Sequence, residues 1–229
     1  MHLTAKLLLT IFLWAPCFAL AATSTCYGTT SNGRIDNAVK LPAQGENFVG
    51  YSTLARWAGR TYVHNDVNNI IVEAYKSLAE NHPGKIYKYA ETGLKHGGKF
   101  RPHKTHQNGL SVDFFTPMMD EKGTSTHLAT HLFNKLGYNI ELDSNGSYEN
   151  LTIDYLAMAA HIVALDKHTK AQGYKIWRVI FDPQLQAGLF TTPYGAYLKT
   201  QIEFSKKPSW VRHDEHYHVD FIIPCQKNL

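Results

Sequence analysis

A chain of 229 residues, 44% hydrophobic and 18% charged, can bury a sizeable core, most simply in one domain. Its 23 lysines and arginines against 19 acidic residues leave a net charge of +4, which suits an anionic polymer but is too weak for a nucleic-acid binder. The outlying count is imidazole, with 13 histidines.

In chain order, the first 22 residues stand apart. His2 and Lys6 precede an apolar run over 7–20 that is too short for a comfortable membrane span, and Ala19, Leu20 and Ala21 form a cleavage-like sequence. A secretory signal peptide cut after Ala21 or Ala22 is expected, with an uncleaved anchor as the alternative; the surroundings of Cys17 do not resemble a lipobox. No later stretch is apolar enough to span a bilayer. Residues 23–229 are therefore expected as one exported, soluble domain without stable membrane insertion. Cys26 and Cys225 remain near opposite ends of that mature chain, and an oxidising compartment predicts a disulfide between them. Closing so long a loop contributes up to about 4–5 kcal/mol through the unfolded chain.

Residues 23–50, rich in Ser, Thr, Asn and Gly, read as an extended lead-in. Ile70, Ile71, Ala74, Tyr75 and Leu78 have helical spacing, predicting a helix over 66–84 closed by His-Pro-Gly. Residues 86–91 alternate like a short strand, 95–109 form a Gly/Pro/Lys/His loop, 110–115 are strand-like, and 126–137 predict a helix ended by Gly137. A longer helix over 152–173 carries the stripe Leu156, Ala159, Ala160 and Val163, with Gly173 as its C-cap. Residues 174–183 predict a strand, and a short helix falls around 193–203. Strands and helices interleave without a βαβ rhythm or a phosphate loop. The expected class is α+β, with a small central antiparallel sheet flanked by helices.

The histidines sort by context. His127 and His131 are four apart on a predicted helix, but no His-Glu-x-x-His arrangement accompanies them, and a surface or half-buried role is the plainer reading. His64 and His82 lie at helix boundaries. In the loop, His106 precedes Asp113 by seven residues, so a loop imidazole and a strand carboxylate can converge. In "HDEHYHVDF" (213–221), Tyr217, Val219 and Phe221 face a core if the segment is a strand, and His216, His218 and Asp220 share the other face. A catalytic zinc ion takes three protein ligands and keeps an open position. His106, Asp113 and His218 can supply the three; two polar strand faces beside a wet groove are the alternative.

"HGGKFRPHKTHQNGLSVDFF" (96–115), followed by "HDEHYHVDF", resembles the penicillin-insensitive murein endopeptidases, within the group that includes lysostaphin-type enzymes, D-Ala-D-Ala metallopeptidases and the hedgehog domain. "WRVIFDPQLQ" (177–186) resembles the family's intervening strand and loop, so about 120 residues carry the likeness. The resemblance implies one zinc ion per chain on His106, Asp113 and His218. It places His216 beside the metal's water, His213 in the cleft and His103 close to the metal. Thr105, Ser111 and Glu215 depart from the family's usual residues, the last two where substrate choice could change.

The function this implies is a periplasmic zinc metallopeptidase that hydrolyses stem peptides or cross-links of peptidoglycan. His216 and His213 are its candidate bases, Arg101 a candidate for a substrate carboxylate, and Asp220 a candidate to orient His218. Tyr217 is expected in the core and Trp210 in the cleft wall. A D-Ala-D-Ala carboxypeptidase or dipeptidase on the same scaffold, or a non-catalytic zinc-holding wall-binding module, are the alternatives; a His/Asn metal-dependent nuclease is more remote. Nucleic acid is not an expected partner. Wall recycling, growth and service to an envelope-spanning machine all stay open.

Overall fold

The computed structural model describes residues 22–209 and 211–228. The expected leader, except for Ala22, and Trp210 lie outside the described residues. No helix among them is long and apolar enough to cross a membrane.

The lead-in is more ordered than expected. Strands β1 (Thr25–Thr29) and β2 (Asn32–Asp36) form an antiparallel hairpin, joined by a two-residue turn. Its alternation is hidden in the sequence because the buried positions of β2 are Gly33 and Ile35, one of them without a side chain. The last residues of the chain add to the hairpin: Gly28 N–H donates to the Gln226 carbonyl (2.8 Å) and Gln226 N–H to the Cys26 carbonyl (2.9 Å). The Cys26–Cys225 disulfide closes the same junction, as predicted. Two-residue strands β3 (Val39–Lys40) and β5 (Tyr62–Val63) pair nearby, flanking β4 (Phe48–Gly50) and helix α1 (Thr53–Trp57).

Helix α2 (Asn65–Asn81) matches its predicted period and buries Val67, Ile70, Ile71, Ala74, Tyr75 and Leu78. His64 caps it, its Nδ1 accepting from Asp66 N–H at 3.2 Å. Strand β6 (Tyr87–Tyr89) and strand β7 (Ser111–Phe115) follow, separated by the expected loop.

The helix expected over 126–137 does not form. Four short strands, β8 (Met118–Met119), β9 (Ser125–Thr126), β10 (Ser147–Tyr148) and β11 (Leu151–Ile153), make a side sheet around this region. Only Leu132–Gly137 is helical, a 3-10 segment interrupted by Lys135 (φ +52°) and Leu136 (φ +59°) in the left-handed region. Asn134 causes the knot: its Oδ1 accepts from His131 N–H (3.0 Å) and Gly137 N–H (2.9 Å), and its Nδ2 donates to the Ala129 carbonyl (2.7 Å). Gly137 itself has φ +102° with the Phe115 ring where a Cβ would lie. His127 and His131 therefore do not share a helix face.

Helix α3 (Tyr155–Ala171) starts at Asp154, whose carboxylate accepts from Ala157 N–H at 2.9 Å. It ends in a Schellman motif: Tyr174 N–H donates to the Thr169 carbonyl and Gly173 N–H to that of Lys170, with Gly173 at φ +80°. The helix is central. Residues Ala157 to Asp166 are all buried, whereas Leu156, expected in the apolar stripe, is 38% exposed. Strand β12 (Lys175–Ile180), helices α4 (Gln186–Phe190) and α5 (Gly195–Gln201), and strand β13 (His216–Ile222) complete the chain.

The central sheet runs β12-β13-β7-β6-β4, antiparallel except for the edge pair β4–β6, which is parallel. The class is α+β, as expected, with a mixed rather than wholly antiparallel sheet. Its register positions the site. His218 lies opposite Asp113, His216 opposite Phe115, and Asp220 between Ser111 on β7 and Arg178 on β12. The other face is core: Tyr217 stacks on Phe114 (5.5 Å), and His161 of α3 meets the Phe114 ring edge-on (4.7 Å) with Tyr75 of α2 stacked beyond it (4.8 Å).

Candidate metal centre

Strict alternation along β13 puts His216, His218 and Asp220 on one face, and antiparallel pairing sets Asp113 against His218. His218 Nδ1 is 2.8 Å from Asp113 Oδ1. His218 Nε2–H donates to Asp220 Oδ1 at 2.8 Å, so Nδ1 is the nitrogen turned to the centre. Asp220 is itself fixed, accepting from Ser111 Oγ (2.6 Å) and Arg178 Nε (2.8 Å). Burial opposes its charge, but His218, Ser111 and Arg178 outweigh that and hold its carboxyl well below the usual range. Burial likewise opposes charge on His218, and Asp220 and Asp113 overcome it, pushing the imidazole up to about 10.

His106 enters from the loop with φ +67°, a conformation that costs a non-glycine residue about 1–3 kcal/mol and is held by its surroundings. Its Nδ1–H donates to the Thr92 carbonyl at 3.0 Å, leaving the lone pair on Nε2. That Nε2 is buried and has no hydrogen-bond partner among the described residues, although it lies 3.2 Å from Asp113 Oδ1. A buried polar atom beside a carboxylate yet not bonded to it leaves room for a shared third partner. Around a tetrahedral ion with N and O bonds of ~2.0–2.1 Å, donor atoms sit roughly 3.3 Å apart. The 3.2 Å separation of His106 Nε2 from Asp113 Oδ1 fits such an ion, while His218 Nδ1, at 2.8 Å, sits at hydrogen-bond length from the same oxygen.

His103, His106 and Asp113 also form a group able to hold a metal ion, with donor atoms within 4.8 Å of one another. His103 is the more distant member: its Nδ1 is 3.8 Å from Asp113 Oδ2, and its Nε2–H donates to Glu91 Oε2 at 2.6 Å. Glu91 is bonded by Arg60 and by the Tyr51 hydroxyl (2.9 Å). Burial would raise the Glu91 carboxyl; His103 and Arg60 prevail and hold it at about 2. Tyr138 completes this wall, its hydroxyl donating to Asp113 Oδ2 (3.1 Å) and accepting from Glu91 N–H (3.1 Å).

His216 and His213 share a second design. His216 Nδ1 is 2.7 Å from Glu215 Oε1, and its Nε2 faces Asp113 Oδ2 at 3.9 Å. His213 Nδ1–H donates to the Val211 carbonyl at 2.8 Å, with its ring 4.6 Å from that of His216. Burial lowers both, to about 4 and about 3, so each is neutral near pH 7. Burial raises Glu215 to about 7.

The structure thus brings His103, His106, Asp113, His213, His216, His218 and Asp220 together. Arg101 lies exposed on the loop, where its backbone carbonyl accepts from Arg60 (3.1 Å). Ser111 is buried against Asp220, and Glu215 against His216, so neither is a cleft-surface residue. Glu91, Tyr138, Arg60 and Arg178 were not singled out from the sequence; a lone carboxylate at the end of the buried Tyr-Lys-Tyr strand was the available signal for Glu91.

Two cavities meet at the centre. One of about 330 Å³ is lined by Arg60, Glu91, Pro102, His103, Lys135, Tyr138 and Val211. The other, about 220 Å³, contains Lys104, Thr105, Arg178, Ile180, Ser209, His213 and His218, and shares His103 and Val211 with the first.

A family model described as penicillin-insensitive murein endopeptidase matches residues 26–228. Curated proteins named "Penicillin-insensitive murein endopeptidase" from Escherichia coli O1:K1, SMS-3-5 and O45:K1 are each 31% identical to this chain over 102 residues, 44% of its length. The matched stretch spans 36% of the length of those relatives.

Proposed function

The chain belongs to the penicillin-insensitive murein endopeptidase family, and on that premise we propose that it is a periplasmic, zinc-dependent endopeptidase hydrolysing amide bonds in peptidoglycan stem peptides or cross-links. Residues 23–229 would form its one metallopeptidase domain, after loss of a signal peptide. The observation that carries the reading is the convergence of His106 Nε2, Asp113 Oδ1 and His218 Nδ1 from two segments distant in sequence.

In this reading His106, Asp113 and His218 hold the zinc. His218 is preferred to His103 as third ligand because it approaches Asp113 at 2.8 Å rather than 3.8 Å. When bound, zinc supplies a water of lowered pKa and polarises the scissile carbonyl. His216, its Nδ1 tied to Glu215, offers a neutral Nε2 that can take a proton and then give it up to the leaving amine, with the His213 ring packed against it at 4.6 Å. Asp220, anchored by Ser111 and Arg178, fixes the His218 ring, and Glu91 does the same for His103. Tyr138 holds the second oxygen of Asp113.

Cavities on both sides of His103 suit a substrate that continues in both directions, which favours an endopeptidase over the carboxypeptidase reading. The two neutral imidazoles facing the centre favour an enzyme over a wall-binding module. The test is mass spectrometry of fragments released from purified peptidoglycan, with and without a zinc chelator. Chelator-sensitive loss of cross-linked dimers, restored by zinc, is expected. Shortened stems with intact dimers would establish the carboxypeptidase, and no release despite bound zinc would overturn the hydrolase.

A further inference from the structure

The two arms of the cleft differ in charge. Beside Tyr138, Arg60 is neutralised by Glu91, leaving Lys135 as the other cation of that arm. Beyond His213 the cavity holding Lys104 and Arg178 continues into another of about 360 Å³, with which it shares Arg178, Ile180 and Ser209. Lys206 and Lys207 line this extension, opposed by Glu203, whose 3.5 Å pair with Lys206 is exposed and weak. Arg178 is paired with buried Asp220 as Arg60 is with Glu91, so the arms differ in their exposed lysines: Lys206 and Lys207 extend this arm, with Glu203 beside Lys206, whereas the Tyr138 arm has Lys135.

Arg178 is the fixed member of the set. Its Nε donates to Asp220 Oδ2 at 2.8 Å and its guanidinium lies over the Trp177 ring at 4.2 Å, so the planar fork is held at the junction of the two cavities. Asp220 in turn accepts from His218, which places Arg178 one side chain away from the imidazole that faces Asp113.

We propose that this arm, from Arg178 to Lys206 and Lys207, is the subsite for a peptide segment bearing free carboxylates, and that it sets which of the two cross-linked strands lies on the His213 side. The inference rests on the hydrolase reading and adds the substrate's charge and polarity to it. Arg178 meets the carboxylate nearest the scissile bond, while the two lysines act on the remainder through a field that salt screens.

The experiment compares two cross-linked muropeptide dimers, identical except that one has its free carboxylates amidated, using wild type and the Lys206→Gln/Lys207→Gln variant at low and high salt. Both lysines are exposed, so the variant should fold. For wild type, amidation should raise KM roughly three- to tenfold, the scale of losing two exposed pairs, with kcat little changed. The variant should raise KM for the acid dimer alone, and 0.5 M salt should erase the difference. Equal KM values for acid and amide in wild type would overturn the subsite. Failure to cut either dimer would overturn the hydrolase reading instead.

Discussion

The strand pair β7–β13 buries histidines against both of its faces, and the two faces treat them differently. On one, His106, His216 and His218 turn one ring nitrogen to an oxygen partner and the other toward Asp113. On the other, His161 is sealed between Tyr75 and Phe114, bonded to the Tyr217 hydroxyl, and burial alone lowers it to about 3. Exposure does not separate them, since all four are 2% exposed or less. Carboxylates do. An imidazole with a carboxylate opposite one of its nitrogens has the surroundings of a ligand or a proton carrier, whereas one stacked among aromatics is a polar brick in the core.

The largest effect should come from the first face. His106→Ala, Asp113→Asn or His218→Ala should remove bound zinc and lower hydrolysis well beyond the ~10–100-fold expected of residues that only orient ligands. His103→Ala should keep the metal; its loss there, with retention in His218→Ala, would reverse the ligand assignment. Next in size, Asp220→Asn should weaken zinc affinity roughly 10–100-fold in a chelator competition, because the His218 ring loses the partner that fixes its tautomer.

Glu91 gives an effect on stability instead. Its carboxyl is held at about 2, so its stabilisation is present above the unfolded value near 4.3 and is lost as pH falls through about 2. The full difference is worth about 3 kcal/mol. Urea unfolding at pH 7 and pH 2.5 should find Glu91→Gln less stable at pH 7, with the gap narrowed to roughly a quarter at the lower pH. The smallest change is expected on the core face. His161→Phe strands the Tyr217 hydroxyl and should cost about 1–3 kcal/mol, with kcat unchanged and zinc retained. A loss of activity beyond reduced folding would break the contrast between the faces.

Much of the row facing Asp113 was legible because strand alternation is local: in residues 216–221 the polar and apolar positions separate without knowledge of any partner. His106 and Asp113 were legible for a related reason, being seven residues apart on a loop and the strand it enters. Glu91, Tyr138, Arg60 and Arg178 were not. They reach the centre only through sheet register and loop packing, which leave no trace in local spacing. The residues over 126–137 show the converse failure, where a helical period was present but Asn134 offered the backbone a competing set of hydrogen bonds. In the hairpin, Gly33 left no side chain to mark the inward face.

The most direct measurement of the central claim is zinc content and peptidoglycan hydrolysis side by side in wild type and His216→Gln. The account predicts about one zinc per chain in both proteins, with release of cross-linked fragments only by wild type. A His216→Gln protein that cuts as well as wild type, or one that has lost its zinc, would contradict it.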